Sequence, residues 1–331
     1  MKEKIDFVLI WVDGNDPEWR QERDRYAPLE KGDKRDVRFR DWDNLKYWFR
    51  GVEAFAPWVN NIFFVTWGHI PSWLNTDNPK LKVVRHEDFI PEEYLPTFNS
   101  HTIELNIHRI KGLSEHFVYF NDDTFVTSLV KPEDFFKKGL PCDTFAQDAI
   151  FFGKDSVGHI NGSIATVVNS NFSKKEALKK NILKWYNPKN GFRNIVKTTL
   201  LMPWPWFPGF YYQHTANSFL KATFNEVWEK EFSVLDDTCR DKFRQQTNVN
   251  QWLMKFWQLA SGRFIPRSPK LGHCYHLKES NFQEACNAVS NGRHGIVCIN
   301  DNARTDNFKD KTERLKEAFQ VLLPAKSTFE R

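Results

Sequence analysis

Cysteine is scarce in this sequence, with five residues in a chain of 331. The five are scattered, odd in number and never spaced as C-x-x-C. A disulfide framework needs paired cysteines and a zinc ribbon needs closely spaced pairs, so the pattern excludes both kinds of scaffold. Free thiols are typical of a reducing compartment, and we therefore expect a cytoplasmic protein.

Long apolar runs are also missing, because no stretch of about 18 apolar residues, the length that crosses a bilayer, occurs in the sequence. The opening segment MKEKIDFVLIWVDG has a short apolar run that ends at Asp13, without a small-residue cleavage site. It predicts a first β-strand and not a signal peptide. An internal repeat, a P-loop and a G-x-G-x-x-G motif are absent as well.

Charge is mild and mixed, since the net charge is +5 and basic residues are interleaved with acidic ones. Nothing in this distribution calls for a nucleic-acid partner. Aromatic residues, in contrast, are plentiful, with 13 Trp and 30 Phe. Such side chains stack on sugar rings or fill a core, so the composition leaves both uses open.

Short apolar runs rich in Val, Ile and aromatic residues predict buried strands at residues 6–12, 61–67, 81–85 and 116–120. Between them, residues 42–56 and 100–111 have helical spacing of apolar residues, and Asn99 or Ser100 can cap the second helix. Strands that alternate with helices predict a Rossmann-like α/β fold with a mostly parallel sheet flanked by helices. In such folds the ligand site lies beyond the carboxyl ends of the strands.

Polar and acidic side chains follow two of these predicted strands and a third strand-like run that begins at Val297. They occur in WVDGNDPEW with Asp13 and Gly14, in YFNDDTF with Asn121, Asp122 and Asp123, and in VCINDN with Asn300 and Asp301. Each segment alone can be an ordinary turn, because Asn and Asp favour turns. Partly desolvated carboxylates, however, need a cation or hydrogen-bond donors. Turns that converge at one sheet edge therefore also fit a metal site.

Three other positions are candidates for chemistry. His214 precedes a helix that we predict from residue 218, and it is either functional or a surface or capping group. Arg244 can clamp a phosphate with its planar guanidinium, or it lies on a solvated helix face. Glu104 and His108 are four residues apart, as in a metal pair, but without a third ligand they fit an ordinary polar helix face better.

We divide the chain into three parts. Residues 1–170 form the N-terminal part of the α/β catalytic core, residues 171–217 a variable basic and aromatic insertion of helix and loop, and residues 218–331 complete the catalytic site. The insertion contains MPWPWFPGFYY, whose prolines predict a loop. We interpret Trp204 and Trp206 as an acceptor-side flap, with packing over the core or contact with a membrane surface as alternatives.

Taken together, these segments resemble the four regions of the Stealth family. They are IDFVLIWVDGNDPEW, the block from RFRDWDN to YFNDDTF, HTANSFLKATFNEVWEKEF with FRQQTNVN, and CIND. Stealth proteins are bacterial capsular polysaccharide hexose-1-phosphate transferases, similar to the catalytic part of the lysosomal-enzyme GlcNAc-1-phosphotransferase. The resemblance is weakest over residues 127–210 and in the tail after residue 305, where we expect acceptor choice to reside. It also departs from the expected smaller residues at His101 and Thr102.

The resemblance implies a glycosyltransferase-A-related fold and a sugar-1-phosphate transferase. Such an enzyme moves a hexose-1-phosphate, for example N-acetylhexosamine-1-phosphate, from a UDP-sugar to a glycan or lipid-linked oligosaccharide in capsular or cell-surface polysaccharide synthesis. A phosphodiester forms and UMP is released, with Mg²⁺ or Mn²⁺ as cofactor. The acceptor also suggests peripheral contact with the inner face of the membrane. A metal-dependent glycosyltransferase that releases UDP and a noncatalytic carbohydrate-binding protein are the alternatives.

The family motifs also imply site residues. The catalytic ones are Asp13, Asp122, His214 and Arg244, the metal ligands are Asp122, Asp123, Asn300 and Asp301, and the substrate contacts are Trp11, Gly14, Arg38, Arg40, Asn99, Ser100, His108, Arg109 and Asn121. His214, with an ordinary pKa of about 6.5, suits a base that takes the proton of a sugar hydroxyl. Whether Asp13 binds metal, binds nucleotide or attacks as a nucleophile stays open.

Overall fold

Strands and helices alternate along the computed structural model, which describes residues 3–35, 39–153, 157–301 and 307–331. The strands are β1 Ile5–Ile10, β2 Ile62–Thr66, β3 Leu81–Arg85, β4 His116–Phe120, β5 Thr124–Val126, β6 Phe136–Lys137, β7 Leu140–Asp143, β8 Asn217–Leu220, β9 Ile265–Pro266, β10 Gly272–His276 and β11 Ile296–Asn300. The helices are α1 Pro17–Tyr26, α2 Leu45–Phe55, α3 Ser100–Asn106, α4 Pro132–Phe135, α5 Gly158–Asn171, α6 Lys174–Trp185, α7 Phe192–Leu200, α8 Lys221–Lys230, α9 Phe232–Arg240, α10 Trp252–Ser261, α11 Phe282–Ser290 and α12 Phe308–Leu322.

The central sheet has the order β3-β2-β1-β4-β8, and its strands β1, β2, β3 and β4 are all parallel to one another. β8 closes one edge antiparallel to β4. Leu9 of β1 pairs with Phe120 of β4, so the segments that follow these strands leave the sheet side by side. The polar residues after β1 and β4 therefore meet at the carboxyl edge, where ligand sites of open parallel sheets form.

Two smaller sheets adjoin the central one. β5 begins four residues after β4 ends, yet it pairs with β11 in the three-stranded sheet β10-β11-β5. In this second sheet Cys274 of β10 lies opposite Cys298 of β11, and Cys298 lies opposite Thr124 of β5. The third sheet, β6-β7-β9, is short. The turn that joins β4 to β5 thus connects two different sheets.

Apolar side chains cover both faces of the central sheet. Phe7 and Leu9 of β1 belong to a cluster that includes residues of α2, α11 and α12. Val8, which points to the opposite face, belongs to a second cluster with residues of α3, α8 and α10. Trp185 of α6 is fully buried in that second cluster. The architecture is three layers, with helices on both sides of the sheet.

These elements confirm the predicted α/β class and the mostly parallel sheet flanked by helices. The runs at 81–85 and 116–120 match β3 and β4 at both ends, while the helix predicted over 100–111 is α-helical only to Asn106. One prediction is wrong: residues 218–220 form part of β8 and not the start of a helix, because they pair with β4. Within the described ranges, no helix has both the length and the apolarity of a bilayer crossing.

Candidate active site

Two adjoining cavities lie at the carboxyl edge of the central sheet. The aromatic cavity has a volume of about 250 Å³ and is lined by the aromatic residues Trp11, Trp19, Phe39, Trp42 and Phe98. The amide cavity has a volume of about 810 Å³ and is lined by the amide residues Gln213, Gln245, Gln246, Asn250 and Gln251. Their shared wall consists of Ser100, Glu104, Asn121, His214, Arg244 and Asn300. A group in this wall can contact ligands in both cavities.

The turn between β4 and β5 is held in place by hydrogen bonds. The Thr124 backbone N–H donates to the Asn121 carbonyl oxygen at 3.1 Å, and the Ile299 N–H donates to the Asp123 carbonyl oxygen at 2.8 Å. The Asp123 carboxylate accepts from the Thr124 hydroxyl at 3.1 Å and from the Asn300 amide at 3.2 Å. The segment is therefore an ordinary turn and, at the same time, a fixed pair of carboxylates in the cavity wall.

The two carboxylates differ in their electrostatics. Asp122 is exposed to the aromatic cavity, but the surrounding protein limits its hydration, and this desolvation, with the charges of Asp123 and Asp41, raises the pKa of Asp122 to about 7. Burial also opposes ionisation of Asp123, but the charge and hydrogen bond of His214, with hydrogen bonds from Asn300 and Cys298, together outweigh it, so the pKa of Asp123 is lowered. Asp122 shares the cavity with carboxylates that repel its charge, whereas Asp123 has a cationic partner.

His214 stands between the two cavities beside this turn. Its Nε2 lies 2.9 Å from the Asn121 amide nitrogen and 3.3 Å from a carboxylate oxygen of Asp123. Burial lowers the pKa of His214, but the charge and hydrogen bond of Asp123 outweigh this and raise it to about 9. The structure thus favours the charged imidazole at neutral pH, whereas the sequence argument used the ordinary value.

The donor set of the aromatic cavity fits a hard divalent cation. All four predicted ligands, Asp122, Asp123, Asn300 and Asp301, line this cavity. Carboxylate and amide oxygens are the ligands of Mg²⁺ and Mn²⁺. Desolvation, followed by the charges of Asp123 and Asp41, raises the pKa of Asp122, and a cation bound there would favour its charged form. Ligand atoms of Asp123, His214 and Cys298 also lie within 4.8 Å of one another, so a mixed donor set is close by.

Arg40 and Arg244 bring positive charge to the same region. Nε and Nη2 of Arg40 donate to one oxygen of Asp301, at 2.8 and 2.7 Å. Nη2 of Arg244 donates to the Ser100 hydroxyl at 2.6 Å in the shared wall. Arg40 thus already balances the charge of Asp301, and the role of Asp301 as a metal ligand stays a prediction. Arg38 lies outside the described residues.

In the segment after β1, hydrogen bonds and packing within the protein involve Trp11, Asp13 and Gly14. The Asp13 N–H donates to Nε2 of His69 at 2.8 Å, and the Asp13 carboxylate accepts from the Asn15 N–H at 2.8 Å. A Cβ on Gly14 would lie 1.9 Å from the Phe39 carbonyl oxygen, so packing alone requires glycine here. Trp11 lines the aromatic cavity, and its indole N–H donates to Asp41 at 3.3 Å.

Four predicted substrate contacts, Gly14, Asn99, His108 and Arg109, line neither cavity, and neither does the predicted catalytic residue Asp13. His108 is buried and stacks on Phe224, and burial, with the charge of Arg109, lowers the pKa of His108 to about 3. The Arg109 guanidinium lies 4.8 Å from the centre of the Trp228 ring. Asn99 is fully buried and caps α3 by accepting from the His101 N–H at 3.1 Å. Their assignment as substrate contacts stays a prediction.

Sequence reasoning missed several residues of the site. Asp41 lines the aromatic cavity, and burial raises its pKa although N–H groups of Asp43 and Trp11 lower it in part. The RDWD motif, an acid beside a tryptophan, could have signalled it. Cys274 and Cys298, whose sulfur atoms are 3.5 Å apart, reach the site only through the pairing of β10 with β11. No sequence pattern indicates that pairing.

Comparison with known proteins identifies matching families and relatives. The family models described as Stealth protein CR1, conserved region 1, and Stealth protein CR2, conserved region 2, match residues 3–29 and 38–142. The capsular polysaccharide phosphotransferase WcwK of Streptococcus pneumoniae is 40% identical over 99% of this chain and 98% of its own. The receptor polysaccharide phosphotransferase WefC of Streptococcus gordonii is 41% identical over the full length of both.

Another relative and one solved structure complete the comparison. The exopolysaccharide phosphotransferase cps2G of Lactiplantibacillus plantarum is 41% identical over 99% of this chain and 96% of its own. Among solved structures, the galactosyltransferase LgtC in complex with donor and acceptor sugar analogues aligns with 98% of both chains, at 12% identity and a TM-score of 0.42. The relatives extend across the third and fourth regions, which lie beyond the two family models.

Proposed function

Because the chain belongs to the Stealth family, we propose that it is a sugar-1-phosphate transferase in capsular or cell-surface polysaccharide synthesis. It transfers a hexose-1-phosphate, such as N-acetylhexosamine-1-phosphate, from a UDP-sugar to a glycan hydroxyl and releases UMP. Support comes from relatives named as polysaccharide phosphotransferases that align with this chain over its whole length.

The observation that carries this proposal is the wall shared by the two cavities. A transferase must hold two substrates so that their reacting atoms meet, and a shared wall permits that contact. We assign the UDP-sugar to the aromatic cavity because it lies beyond the carboxyl end of β1, where parallel sheets bind nucleotides. The acceptor then occupies the amide cavity. Its glutamine and asparagine side chains can both donate to and accept from sugar hydroxyls.

Tyr212 and Trp252 extend the proposed acceptor site with an apolar surface. Both line the amide cavity, and their ring centres lie 4.5 Å apart. Gln251 is 3% exposed, and its amide oxygen has no hydrogen-bond partner among the described residues. A buried acceptor atom without a partner is costly, and a sugar hydroxyl can satisfy it. Aromatic rings beside amides are the combination that binds pyranose rings.

In the proposed reaction the acceptor oxygen attacks the phosphorus nearer the sugar, and the bond between this phosphorus and the bridging oxygen of UMP breaks. Arg244, already held by Ser100, contacts the phosphate oxygens through its guanidinium N–H groups. Mg²⁺ or Mn²⁺ bound by Asp122, Asp123 and Asn300 would offset the charge that builds on the leaving UMP. The C1–O bond of the sugar stays intact.

The acceptor proton passes to Nε2 of His214. The imidazole can accept it only in its neutral form, and Asp123 favours the charged form. If Asp123 held a cation, the charge of this carboxylate would be offset, and the attraction that raises the pKa of His214 would weaken. The contact between Asp123 and His214 would therefore link binding of the UDP-sugar and its cation to the neutral form of His214, the form that can accept the proton.

The identity of the released nucleotide tests this proposal. A panel of UDP-sugars is incubated with the protein, Mg²⁺ or Mn²⁺ and an extract of capsular oligosaccharides, with EDTA as the control. We expect UMP, and a phosphodiester signal in the phosphorus NMR spectrum of the glycan. Stoichiometric UDP without glycan phosphorus would mean a glycosyltransferase, and no nucleotide at all would mean a carbohydrate-binding protein.

We also propose that the protein works in the cytoplasm at the inner face of the membrane, where a lipid-linked oligosaccharide is its acceptor. Within the three-part division, residues 171–217 would decide which acceptor is used. Exchange of this segment with that of a relative tests the division. Acceptor preference should follow the exchanged segment, whereas the UDP-sugar preference should not change.

A further inference from the structure

Exposed apolar side chains concentrate on one part of the molecule, which we call the α6–α7 face. It consists of the large apolar residues that α6, α7 and the following loop leave exposed: Ile182, Leu183, Phe192, Val196, Leu200, Trp204 and Trp206. Leu183, Phe192 and Leu200 are 85%, 81% and 75% exposed. An exposed apolar surface of this kind marks an interaction site in a water-soluble domain.

Helix α7 exposes apolar residues and buries polar ones, which is the reverse of an ordinary amphipathic surface helix. Phe192, Val196 and Leu200 are four residues apart and exposed, so they form one outward stripe. The buried residues of this helix are polar: Asn194 donates to the Asn190 carbonyl oxygen, and the Thr198 hydroxyl accepts from the Gln147 N–H. The helix is therefore attached to the protein through polar contacts while its apolar stripe has solvent access.

The two tryptophans continue this face from a fixed backbone. Lys174 Nζ donates to the carbonyl oxygens of Leu201 and Trp204, each at 2.6 Å. Phe207, next in the chain after Trp206, is 2% exposed and anchors the loop in the core. The indole rings of Trp204 and Trp206 nevertheless remain more than half exposed. Neither tryptophan lines the aromatic or the amide cavity.

The same segment carries a strong positive charge. Residues 174–207 contain seven Lys and one Arg but one Glu, a net charge of +7 against +5 for the whole chain. The rest of the chain thus has a net charge of −2. Basic residues are concentrated here, and the expectation of a uniformly mixed charge distribution is wrong for this segment. Lys175, Lys180 and Arg193 are exposed among the apolar side chains.

We propose that the α6–α7 face docks on a bilayer that contains anionic lipids. Aliphatic side chains would enter the boundary between headgroups and acyl chains, the indoles would lie at the headgroup level, and the basic residues would face the anionic phosphates. A protein partner is the less suitable occupant, because charged lysines are depleted in protein interfaces. The inference names the surface behind the proposed membrane location, but it does not depend on the chemistry of transfer.

Vesicle flotation tests the docking of the purified chain. We expect the chain to float with vesicles of equal parts phosphatidylcholine and phosphatidylglycerol and to stay behind with pure phosphatidylcholine. Adding salt should weaken the binding, because part of the attraction is electrostatic. Trp204 and Trp206 should show a blue shift of fluorescence that a Trp204→Phe/Trp206→Phe variant lacks.

Matched variants distinguish this face from exposed apolar residues in general. Leu183→Ser/Phe192→Ser/Leu200→Ser should lower the vesicle affinity about tenfold or more, since three apolar anchors are lost. The control is Leu129→Ser/Val321→Ser, which changes residues that are 76% and 70% exposed elsewhere. It should bind vesicles within about twofold of the unchanged protein, and circular dichroism and melting temperature check the fold of both variants.

Three results would overturn the proposal. They are a wild-type chain that ignores anionic vesicles, a control that loses as much affinity as the triple variant, and a wild-type dimer that the triple variant abolishes without lipid. The last result would make the face a contact between two copies. The nucleotide-release assay, run on the same proteins, is read separately, so failure of docking and failure of the transferase reaction remain distinguishable.

Discussion

At the scale of single residues, the turn at residues 121–123 is compatible with both interpretations of its sequence, an ordinary turn and a metal site. Asp123 accepts hydrogen bonds from Thr124 and Asn300 as in a structured turn, while desolvation and the charges of Asp123 and Asp41 raise the pKa of Asp122. A fixed backbone removes the freedom of the carboxylates to separate. The same hydrogen bonds that make the turn therefore also hold the two carboxylates together, as the proposed cation site requires.

We expect Asp122→Asn and Asp123→Asn to fold but to lose turnover by about a hundredfold or more, roughly 3 kcal/mol of transition-state stabilisation. An amide keeps the shape of the carboxylate and removes the charge that holds the cation. Steady-state UMP release measures the loss, and the melting temperature in Mn²⁺ measures cation binding, which should stabilise the wild type more than either variant. Asp77→Asn, on an exposed turn, is the control and should behave as wild type. Normal rates in saturating metal would leave the turn with a purely structural role.

His214→Ala should suppress transfer while donor affinity changes by no more than a few fold, because the base acts on the acceptor. Isothermal titration with the UDP-sugar gives the affinity, and single-turnover quenching gives the rate of transfer. His214→Gln keeps a polar side chain beside Asn121 and Asp123 and separates loss of the base from loss of packing. A collapse of donor affinity with intact single-turnover transfer would make His214 a phosphate ligand instead.

Much of the site could be predicted where an acidic residue directly follows a strand. Asp122 and Asp123 were found this way, because strand ends converge by the geometry of a parallel sheet. Asp41 and Cys274 could not be found from spacing, since loop packing and the pairing of β10 with β11 bring them in. His108 was predicted as a substrate contact from its motif position, yet it lines neither cavity. A motif position does not indicate the direction in which a side chain points.

At the scale of secondary-structure elements, local pattern was sufficient for most of the central sheet. The strand β4 is an almost continuous apolar run, and β3 contains the apolar residues Leu81, Val83 and Val84. Both strands match their predicted bounds. β8 was mistaken for the first turn of a helix, because its four residues have no pattern of their own and pairing with β4 decides their conformation. The two small sheets depend on contacts between distant residues, which periodicity cannot reveal.

The contact between α2 and β5 depends on a glycine in the middle of a helix. A Cβ on Gly51 would lie 2.3 Å from the Val126 carbonyl oxygen. Gly51→Ala gains about 1 kcal/mol of helix propensity but forces helix and strand apart, so we expect net destabilisation of about 1 to 2 kcal/mol. Urea denaturation measures it.

Gly162→Ala on α5 provides the matched control for this prediction. Its Cβ would meet the ring of Phe152 at 2.9 Å, but that side chain is 58% exposed and can move. The control should therefore be neutral or more stable than the wild type. If Gly51→Ala were equally harmless, α2 would have room to move away from β5, and close packing would not explain the glycine.

At the scale of the whole molecule, the C-terminal segment is tied to the N-terminal half of the fold by a buried ion pair. Nε and Nη2 of Arg50 on α2 donate to the Glu330 carboxylate at 2.8 and 2.7 Å, and both side chains are buried. Burial opposes ionisation of Glu330, but the hydrogen bonds of Arg50 and Ser327 outweigh it and lower its pKa. The pair therefore couples global stability to pH.

Glu330→Gln should cost about 3 kcal/mol at neutral pH, because it leaves the buried Arg50 without its anionic partner. A lowered folded-state pKa means that this stability is present above the ordinary value near 4.5 and is lost as pH falls through the folded pKa. The difference between wild type and variant in urea denaturation should therefore shrink in acid. The exposed Glu229→Gln should show no such trend, and a difference that stays constant with pH would argue against the linkage.

The turn at residues 121–123 has a mechanical consequence. It joins β4 of the central sheet to β5 of the second sheet, and the Ile299 N–H bonded to Asp123 fastens the second sheet to the same point. The candidate active site thus lies at the junction between the central sheet and the second sheet. A ligand that contacts both sheets would restrict their motion relative to each other. Ligand binding should therefore slow amide hydrogen exchange along β5 and β11.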